Sequence, residues 1–211
     1  GDSEAYIAEF PRRCETSGIS AQPIDCRTAR ELEPALSESI IAVYRVDDAT
    51  VDPFRLAYDN IADAISRGAR LMTYTQAVGM VREGRRIQSV RLRQLRSGRE
   101  IEVEAEQVVN AGGAWGGKIA ELSGVSLPVV PSKGSLLITQ PRITDRVVNR
   151  LRLPSDGDII VPGGTVSLVG TTSVRVDDLD RLHADVDEVD FLIEEAARLV
   201  PSLQSTRIVR A

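Results

Sequence analysis

Val108-Val109-Asn110-Ala111-Gly112-Gly113-Ala114-Trp115-Gly116-Gly117 is the stretch of sequence that decides the fold of this chain. An apolar run ends there in a turn of small residues, and Trp115, Ile119 and Leu122 then recur at helical spacing. Two adjacent glycines after a strand allow a close approach to the backbone, because neither carries a Cβ atom. A following helix would direct its free N–H groups to the same place. Two hypotheses follow: the turn contacts a dinucleotide, or its glycines only shape a strand–turn–helix connection.

The composition of the chain limits the classes of partner and site. Its 211 residues suffice for one large domain or two small ones, and the net charge of −5 argues against nucleic acid as the main partner. No apolar run approaches the roughly 18–20 residues of a membrane span. His183 is the only histidine, which excludes a zinc site that needs two, and we predict no metal site. Cys14 and Cys26 are expected to be free thiols in a reducing compartment.

Helix and strand patterns alternate around the decisive stretch. Asp52-Pro53 predicts a helix start, because Asp caps free N–H groups and Pro fits the first turn, and Gly68 ends that helix. Strands are predicted at 69–75 and 107–110. Between them the sequence predicts a β-meander with strands at 78–81, 87–95 and 101–105.

The remainder of the chain predicts a mostly β region with helices. Helices are expected at 5–17, at 28–32 and after Asp185, where Glu188 completes a capping box. Strands are predicted at 39–46, 129–130, 135–139, 158–161, 166–169 and 206–209. The predicted fold class is therefore α/β of mixed α+β character.

Two segments of this second region combine polar groups with glycine. Lys133 lies in the bend Pro131-Ser132-Lys133-Gly134-Ser135, where its ammonium would either meet an anionic ligand or remain a surface charge beside a β-bulge. Gly170-Thr171-Thr172 ends an apolar strand with two hydroxyls, which would either line a polar pocket or serve only the turn. Both segments stay open as candidate ligand contacts.

Two charged segments are interpreted as structural. Residues 82–99 carry seven arginines against one glutamate, and we interpret them as a solvated hairpin because the chain is acidic and no aromatic residues are interleaved. The acidic residues between 177 and 190 lack the spacing of an EF-hand, and we interpret them as charges that favour the start of a helix.

Six motifs of the sequence stand in a defined order. They are Val51-Asp52-Pro53-Phe54-Arg55, Gly68-Ala69, Val108 to Trp115, Lys133-Gly134-Ser135, Pro154-Ser155-Asp156 with Asp158 to Gly163, and Gly170-Thr171-Thr172-Ser173. In this order and spacing the chain resembles FAD-dependent glycerol-3-phosphate dehydrogenases, most closely the catalytic subunits of the anaerobic bacterial enzymes. These belong to the D-amino-acid oxidase-like flavoproteins, and the resemblance covers nearly all 211 residues.

The resemblance implies two domains and two sets of site residues. Residues 49–125 would belong to an FAD-binding α/β unit with its β-meander, and 1–48 with 126–211 to a substrate domain built on a mixed or antiparallel sheet with flanking helices. Contacts with FAD would come from Val78, Ala111, Gly112, Gly113 and Trp115. Substrate contacts would come from Lys133, Gly134, Ser135, Thr171 and Thr172. No catalytic base is assigned.

The resemblance also implies a reaction and partners. The parent would oxidise sn-glycerol 3-phosphate to dihydroxyacetone phosphate, and electrons would pass through FAD and partner subunits to quinone. The expected location is cytoplasmic, with those subunits holding the protein at the inner face of the cell membrane. The alternatives are an FAD-dependent amine or 2-hydroxy-acid oxidase of the same superfamily, or a non-catalytic α/β binding module.

Parts of the family pattern have no counterpart in this sequence. The N-terminal strand with G-x-G-x-x-G is absent, as are the segments that bear a substrate-binding arginine and the glycine-rich piece that closes on the flavin. We therefore interpret the chain as the central fragment of such an enzyme. We expect that alone it neither holds FAD nor turns over.

Overall fold

The computed structural model of the chain describes residues 3–211, a mixed assembly of helices and strands. The helices are α1 (Glu4–Thr16), α2 (Cys26–Leu32), α3 (Pro53–Ser66), α4 (Gly116–Glu121) and α5 (Val186–Ala197), with 3-10 turns at Gly113–Trp115 and Pro201–Ser205. The strands of the first half are β1 (Ala21–Ile24), β2 (Val43–Val46), β3 (Thr75–Glu83), β4 (Arg86–Gln94) and β5 (Glu100–Glu104). Those of the second half are β6 (Ser132–Lys133), β7 (Leu136–Gln140), β8 (Val148–Asn149), β9 (Ile159–Gly163), β10 (Val166–Gly170), β11 (Val174–Arg175) and β12 (Arg207–Arg210).

The chain divides into two compact units. Unit 1 contains the residues up to Thr50 together with Ser132–Ala211, and unit 2 contains Val51–Pro131. The assignment of 49–125 to an FAD domain and of the remainder to a substrate domain concerns the roles of these regions and stays a prediction.

Unit 1 is organised around an antiparallel five-stranded sheet in the order β12-β7-β10-β9-β8. Leu137, Val169 and Ile160 lie side by side in the register of its three central strands and are fully buried. Helix α5 packs Leu192 against them, so that one contiguous core forms from sheet and helix. The predicted hairpin of β9 and β10 is confirmed.

The segment before residue 51 joins this core through hydrogen bonds. Strands β1 and β2 pair in antiparallel fashion, and the Tyr44 hydroxyl donates to the carbonyl oxygen of Ile7 in α1. The Glu33 carboxylate accepts the backbone N–H groups of Asp145 and Arg146 at 2.7 and 3.0 Å. Glu33 is buried, so these bonds satisfy a carboxylate that would be costly to bury alone.

Unit 2 contains the predicted meander and the predicted capped helix. Strands β3, β4 and β5 form a three-stranded antiparallel sheet in chain order. Helix α3 begins as expected, because the Asp52 carboxylate accepts the N–H groups of Phe54 and Arg55 and Pro53 occupies the first turn.

Several predicted strands were wrong in whole or in part. In unit 2, residues 69–74 are irregular, since the strand begins at Thr75, and residues 107–110 and 129–130 are irregular as well. In unit 1 the first part of a predicted strand, 39–42, also lies in irregular structure. A strand requires a hydrogen-bonded neighbour, and among the residues described no segment pairs with any of these stretches.

The described helices were also compared with the length of a bilayer span. Over residues 3–211, none combines the length and the apolar character needed to cross a membrane.

Candidate functional site

The glycine turn of unit 2 is built on Asn110. Its side-chain amide nitrogen donates to the carbonyl oxygen of Gly116 at 2.8 Å, and its amide oxygen accepts the N–H of Gly112 at 3.1 Å. The Trp115 N–H closes the turn on the carbonyl oxygen of Gly112 at 3.0 Å. Ala111, Gly112, Gly113 and Trp115 are therefore brought together in one small turn before α4. Asn110 was not among the predicted site residues, although an asparagine before a turn is a recognised signal for such bonds.

The two glycines of this turn have different physical roles. A Cβ atom on Gly112 would lie 2.2 Å from Ile119 Cδ1 and 3.2 Å from the Asn110 side-chain oxygen, so the missing side chain makes room for the chain itself. Gly113 has φ of +54°, a conformation that favours glycine, and a Cβ built there would meet no atom within 4 Å. Gly113 is therefore the position where the turn is open to an approaching group.

Val78 lies at an irregularity of strand β3. The register runs from Ala77 opposite Leu92 to Gly79 opposite Arg91, which leaves Val78 without a partner residue on β4. A β-bulge of this kind removes one residue from the regular ladder. Strand β3 is also an edge of its three-stranded sheet.

The predicted substrate residues of unit 1 come together from two segments. Strand β6 pairs with β11, and the Ser135 N–H donates to Thr172 Oγ1 at 2.9 Å. The backbone of Gly134 passes so close to the second segment that a Cβ there would lie 2.7 Å from Thr171 Oγ1. Segments 132–135 and 170–175 thus form one double loop.

Glu188 of α5 binds both segments of this double loop. Its carboxylate accepts hydrogen bonds from Lys133 Nζ at 2.6 Å, Thr172 Oγ1 at 2.7 Å, Ser135 Oγ at 3.0 Å and the Asp185 N–H at 3.0 Å. Burial alone would raise the pKa of Glu188, but these four donors outweigh it and lower the pKa from 4.5 to about 2. The predicted capping box of Asp185 and Glu188 is confirmed.

The Lys133 ammonium is occupied by this same cluster. It donates to the carbonyl oxygen of His183, to the Asp185 carboxylate and to the Glu188 carboxylate, at 2.7, 3.0 and 2.6 Å. The hydrogen bond and charge of Glu188 raise the pKa of Lys133. Of the five predicted substrate residues, Lys133, Ser135 and Thr172 are turned toward Glu188, whereas Gly134 and Thr171 are exposed.

Further features match their structural interpretations. In the arginine-rich hairpin, Arg93 of β4 pairs with Glu100 of β5 at 2.7 Å on an exposed face. The His183 ring is exposed, as expected for a solvated loop residue. Cys14 and Cys26 are both free thiols.

Comparisons with known proteins agree on the family. The family model "FAD dependent oxidoreductase" matches residues 1–211. The anaerobic glycerol-3-phosphate dehydrogenase of Escherichia coli (strain K12) contains a polypeptide that is 45% identical over 212 residues, which cover 100% of this chain and 39% of that protein. The corresponding polypeptide of Haemophilus influenzae is 41% identical over 100% of this chain and 38% of its own length. The chain thus spans well under half the length of these relatives.

Solved structures share the fold. Glycine oxidase from Geobacillus kaustophilus superposes with a TM-score of 0.78 and 26% identity over 99% of this chain and 55% of the oxidase. Glycerol-3-phosphate dehydrogenase from Bacillus halodurans, complexed with FAD, gives a TM-score of 0.70 and 24% identity over 88% of this chain and 40% of that enzyme. The family match along the whole chain, with these likenesses in sequence and fold, shows that the chain belongs to the FAD-dependent oxidoreductases.

Proposed function

We propose that this chain is part of a flavoprotein dehydrogenase that oxidises sn-glycerol 3-phosphate to dihydroxyacetone phosphate. The observation that carries the proposal is the 45% identity, along the entire chain, to a polypeptide of the anaerobic glycerol-3-phosphate dehydrogenase of Escherichia coli. When bound, FAD supplies the redox chemistry, because it accepts the hydride that the secondary alcohol gives up. The protein residues bind and orient the two reactants.

The residues of unit 2 fit a flavin nucleotide. Gly113 leaves open space where a side chain would stand, and Asn110 holds the turn in shape through bonds to Gly112 and Gly116. We propose that Ala111, Gly112, Gly113 and Trp115 form one wall of the FAD site. Val78 would contribute backbone groups at its bulge, where the ladder is interrupted.

The double loop of unit 1 is proposed to face the substrate. Lys133, Gly134, Ser135, Thr171 and Thr172 were predicted for this role from the sequence, and they form one cluster with Glu188. Gly134 and Thr171 are its exposed members and are the proposed direct contacts. No residue is assigned as a catalytic base.

Unit 2 lacks part of its packing, which bears on FAD retention. None of the 14 residues of α3 is buried, and Phe54 and Val109 are 87% and 84% exposed. Such apolar surface is unfavourable in water. We propose that polypeptide outside these 211 residues covers it and supplies the phosphate-binding part of the FAD site. The 211-residue chain by itself would then neither retain FAD nor turn over substrate.

The proposal includes partners and a location. The Escherichia coli relative is by its name one subunit of an enzyme. We propose that partner subunits take electrons from the flavin to a quinone and hold the protein at the inner face of the cell membrane.

The test uses the full-length polypeptide that contains this chain, purified in its oxidised form without air. We expect a flavin spectrum that bleaches on addition of glycerol 3-phosphate and is unchanged by glycine or a 2-hydroxy acid. The 211-residue chain, prepared in parallel, should carry no flavin. A flavin that ignores glycerol 3-phosphate and bleaches with glycine would overturn the substrate assignment.

An amine or 2-hydroxy-acid oxidase is the second candidate. The observation that favours it is the fold likeness to glycine oxidase from Geobacillus kaustophilus. Bleaching by the amino acid or the hydroxy acid, followed by reoxidation in air with release of hydrogen peroxide, would support it. A full-length polypeptide that holds no flavin at all would instead support a non-catalytic binding module.

A further inference from the structure

Glu188 joins three parts of unit 1 that are far apart in the sequence. Its two carboxylate oxygens accept four hydrogen bonds: from Lys133 and Ser135 in the first loop segment, from Thr172 in the second segment and from the backbone at the start of α5. The carboxylate is nearly removed from solvent, with 9% of the side chain exposed. A carboxylate in such a place is tolerable because its lone pairs have donors.

Lys133 completes the same cluster with the opposite charge. An ammonium group has three N–H donors, and three protein acceptors take them up: His183 O, Asp185 Oδ2 and Glu188 Oε2. Its side chain is 11% exposed. The Lys133 charge therefore holds the loop and is not directed to an external anion.

The cluster fixes the exposed part of the double loop. Ser135 and Thr172 exchange bonds, from the Ser135 N–H to Thr172 Oγ1 and from the Thr172 N–H to the Ser135 carbonyl oxygen. Their side-chain hydroxyls then both donate to Glu188. Gly134 and Thr171, which adjoin these two anchored residues, remain exposed and lie in close contact with each other.

We propose that Glu188 is a positioning residue, which acts with Lys133 to hold Gly134 and Thr171 in the geometry that contacts substrate. This inference rests on the proposed function, because it takes the double loop to be the substrate-facing surface. Nothing in the capping role of Glu188 requires the bonds to Ser135, Thr172 and Lys133, which are directed away from the backbone of α5 toward the loop. These three bonds distinguish a positioning residue from a helix cap.

The test compares Glu188→Gln with Glu194→Gln in the full-length flavoprotein. Glutamine has nearly the same shape, but one oxygen is replaced by an amide group that cannot accept from the donors around it. Glu194 lies on the same helix and is exposed, so its substitution controls for the loss of one negative charge. Lys133→Met and the double variant complete a cycle that measures the coupling between the two residues.

Hydrogen exchange gives a readout that does not depend on the substrate. In Glu188→Gln we expect backbone amides of 132–136 and 170–174 to exchange about tenfold faster or more, because the loop loses its anchor, while those of Ile160 and Val169 in the core strands keep their rates. In Glu194→Gln both sets should be unchanged. Faster exchange throughout α5 and the sheet, with no excess in the two loop segments, would mean that Glu188 only stabilises the fold and would overturn the proposal.

Steady-state kinetics give the second readout. With flavin occupancy unchanged, Glu188→Gln should raise KM for glycerol 3-phosphate about tenfold or more and change kcat less, because loop geometry chiefly affects binding. The double variant should be less impaired than the sum of the single variants. Unchanged KM and kcat in Glu188→Gln, despite loosened loops, would contradict the inference. If the wild type responds only to an amine or hydroxy acid, the proposed function fails, and the same KM comparison on that substrate decides the role of Glu188.

Discussion

The two units of this chain differ in what they do with their apolar residues. Every buried apolar side chain among the described residues lies in unit 1, whereas the buried residues of unit 2 are glycines and serines, namely Gly79, Ser89, Gly116 and Ser123. Both units nevertheless contain capped, amphipathic helices. Helix α5 of unit 1 buries Leu192, and α3 of unit 2 buries nothing.

The difference teaches that an amphipathic pattern specifies a face, not its partner. The pattern of α3 states which side chains would be buried, but burial requires a second surface, and none of the described residues provides one. The irregular stretches 69–74 and 107–110 have the same origin, because their strand patterns lack a neighbouring strand. Unit 1 holds its own core, and we expect unit 2 to depend on additional polypeptide.

The largest contrast is expected from charge pairs. Glu195 is buried in α5 and binds Arg150 and Arg152, so Glu195→Ala should cost unit 1 about 3–5 kcal/mol in the free energy of unfolding. The matched change in unit 2 is Asp63→Ala, which removes an exposed pair with Arg67 and should cost no more than about 0.5 kcal/mol. Urea unfolding of the 211-residue chain, followed by circular dichroism, measures both. Equal costs would break the comparison.

Apolar truncation should separate the units almost as strongly. Leu192→Ala removes a fully buried side chain and should cost about 2–5 kcal/mol, because a cavity remains in the core. Ile61→Ala on α3 should cost about 0.5 kcal/mol or less in the 211-residue chain, since Ile61 is exposed there. Urea unfolding of the two variants side by side gives both values.

The same Ile61→Ala change sharpens the comparison in the longer protein. If additional polypeptide covers α3, the cost should rise to about 2 kcal/mol or more in the full-length protein. A cost that stays small in both contexts would show that α3 remains exposed and that unit 2 needs no further packing.

Acid should weaken unit 1 through Glu188. Its pKa is about 2 in the folded chain against an ordinary 4.5, so its stabilisation is complete above pH 4.5 and is lost as the pH falls toward 2. Lys133 and Asp185 are the charged groups that face it. The stability gap between wild type and Glu188→Gln should therefore narrow on acidification, by up to about 1.4 kcal/mol per pH unit. A gap that is constant from about pH 7 to about pH 3 in urea unfolding would contradict this linkage.

The smallest effects are expected in the glycine turn, where two adjacent positions should separate structure from ligand contact. Gly112→Ala would push against Ile119 and Asn110 and should cost about 1–3 kcal/mol of stability. Gly113→Ala meets open space and should cost only about 1–2 kcal/mol, because of its positive φ. In the full-length protein we expect Gly113→Val to lower flavin occupancy more than Gly112→Ala, measured by absorbance. Full occupancy in Gly113→Val would make the turn purely structural.

Much of the fold was predictable because its signals are local. The start of α3 at Asp52-Pro53, the capping box before α5 and the turns of the meander each depend on residues only a few positions apart. The strands at 69–74 and 107–110 were wrong, since their existence depends on a partner and not on their own pattern. A shared role for the Lys-Gly-Ser and Gly-Thr-Thr segments was implied by the family resemblance, but the part of Glu188 in it was not.

By itself, the sequence determined the mixed α/β class, the capped helices, the glycine turn and, through six motifs in order, the flavoprotein family. Only the tertiary structure decided what individual side chains do. It directs the Lys133 ammonium to Asp185 and Glu188, which are 52 and 55 residues further along the chain, and it fills the space beside Gly112 with Ile119. The physical reason is range: helical and strand periodicities act over a few residues, whereas hydrogen-bond partners and packing neighbours are chosen when distant segments meet.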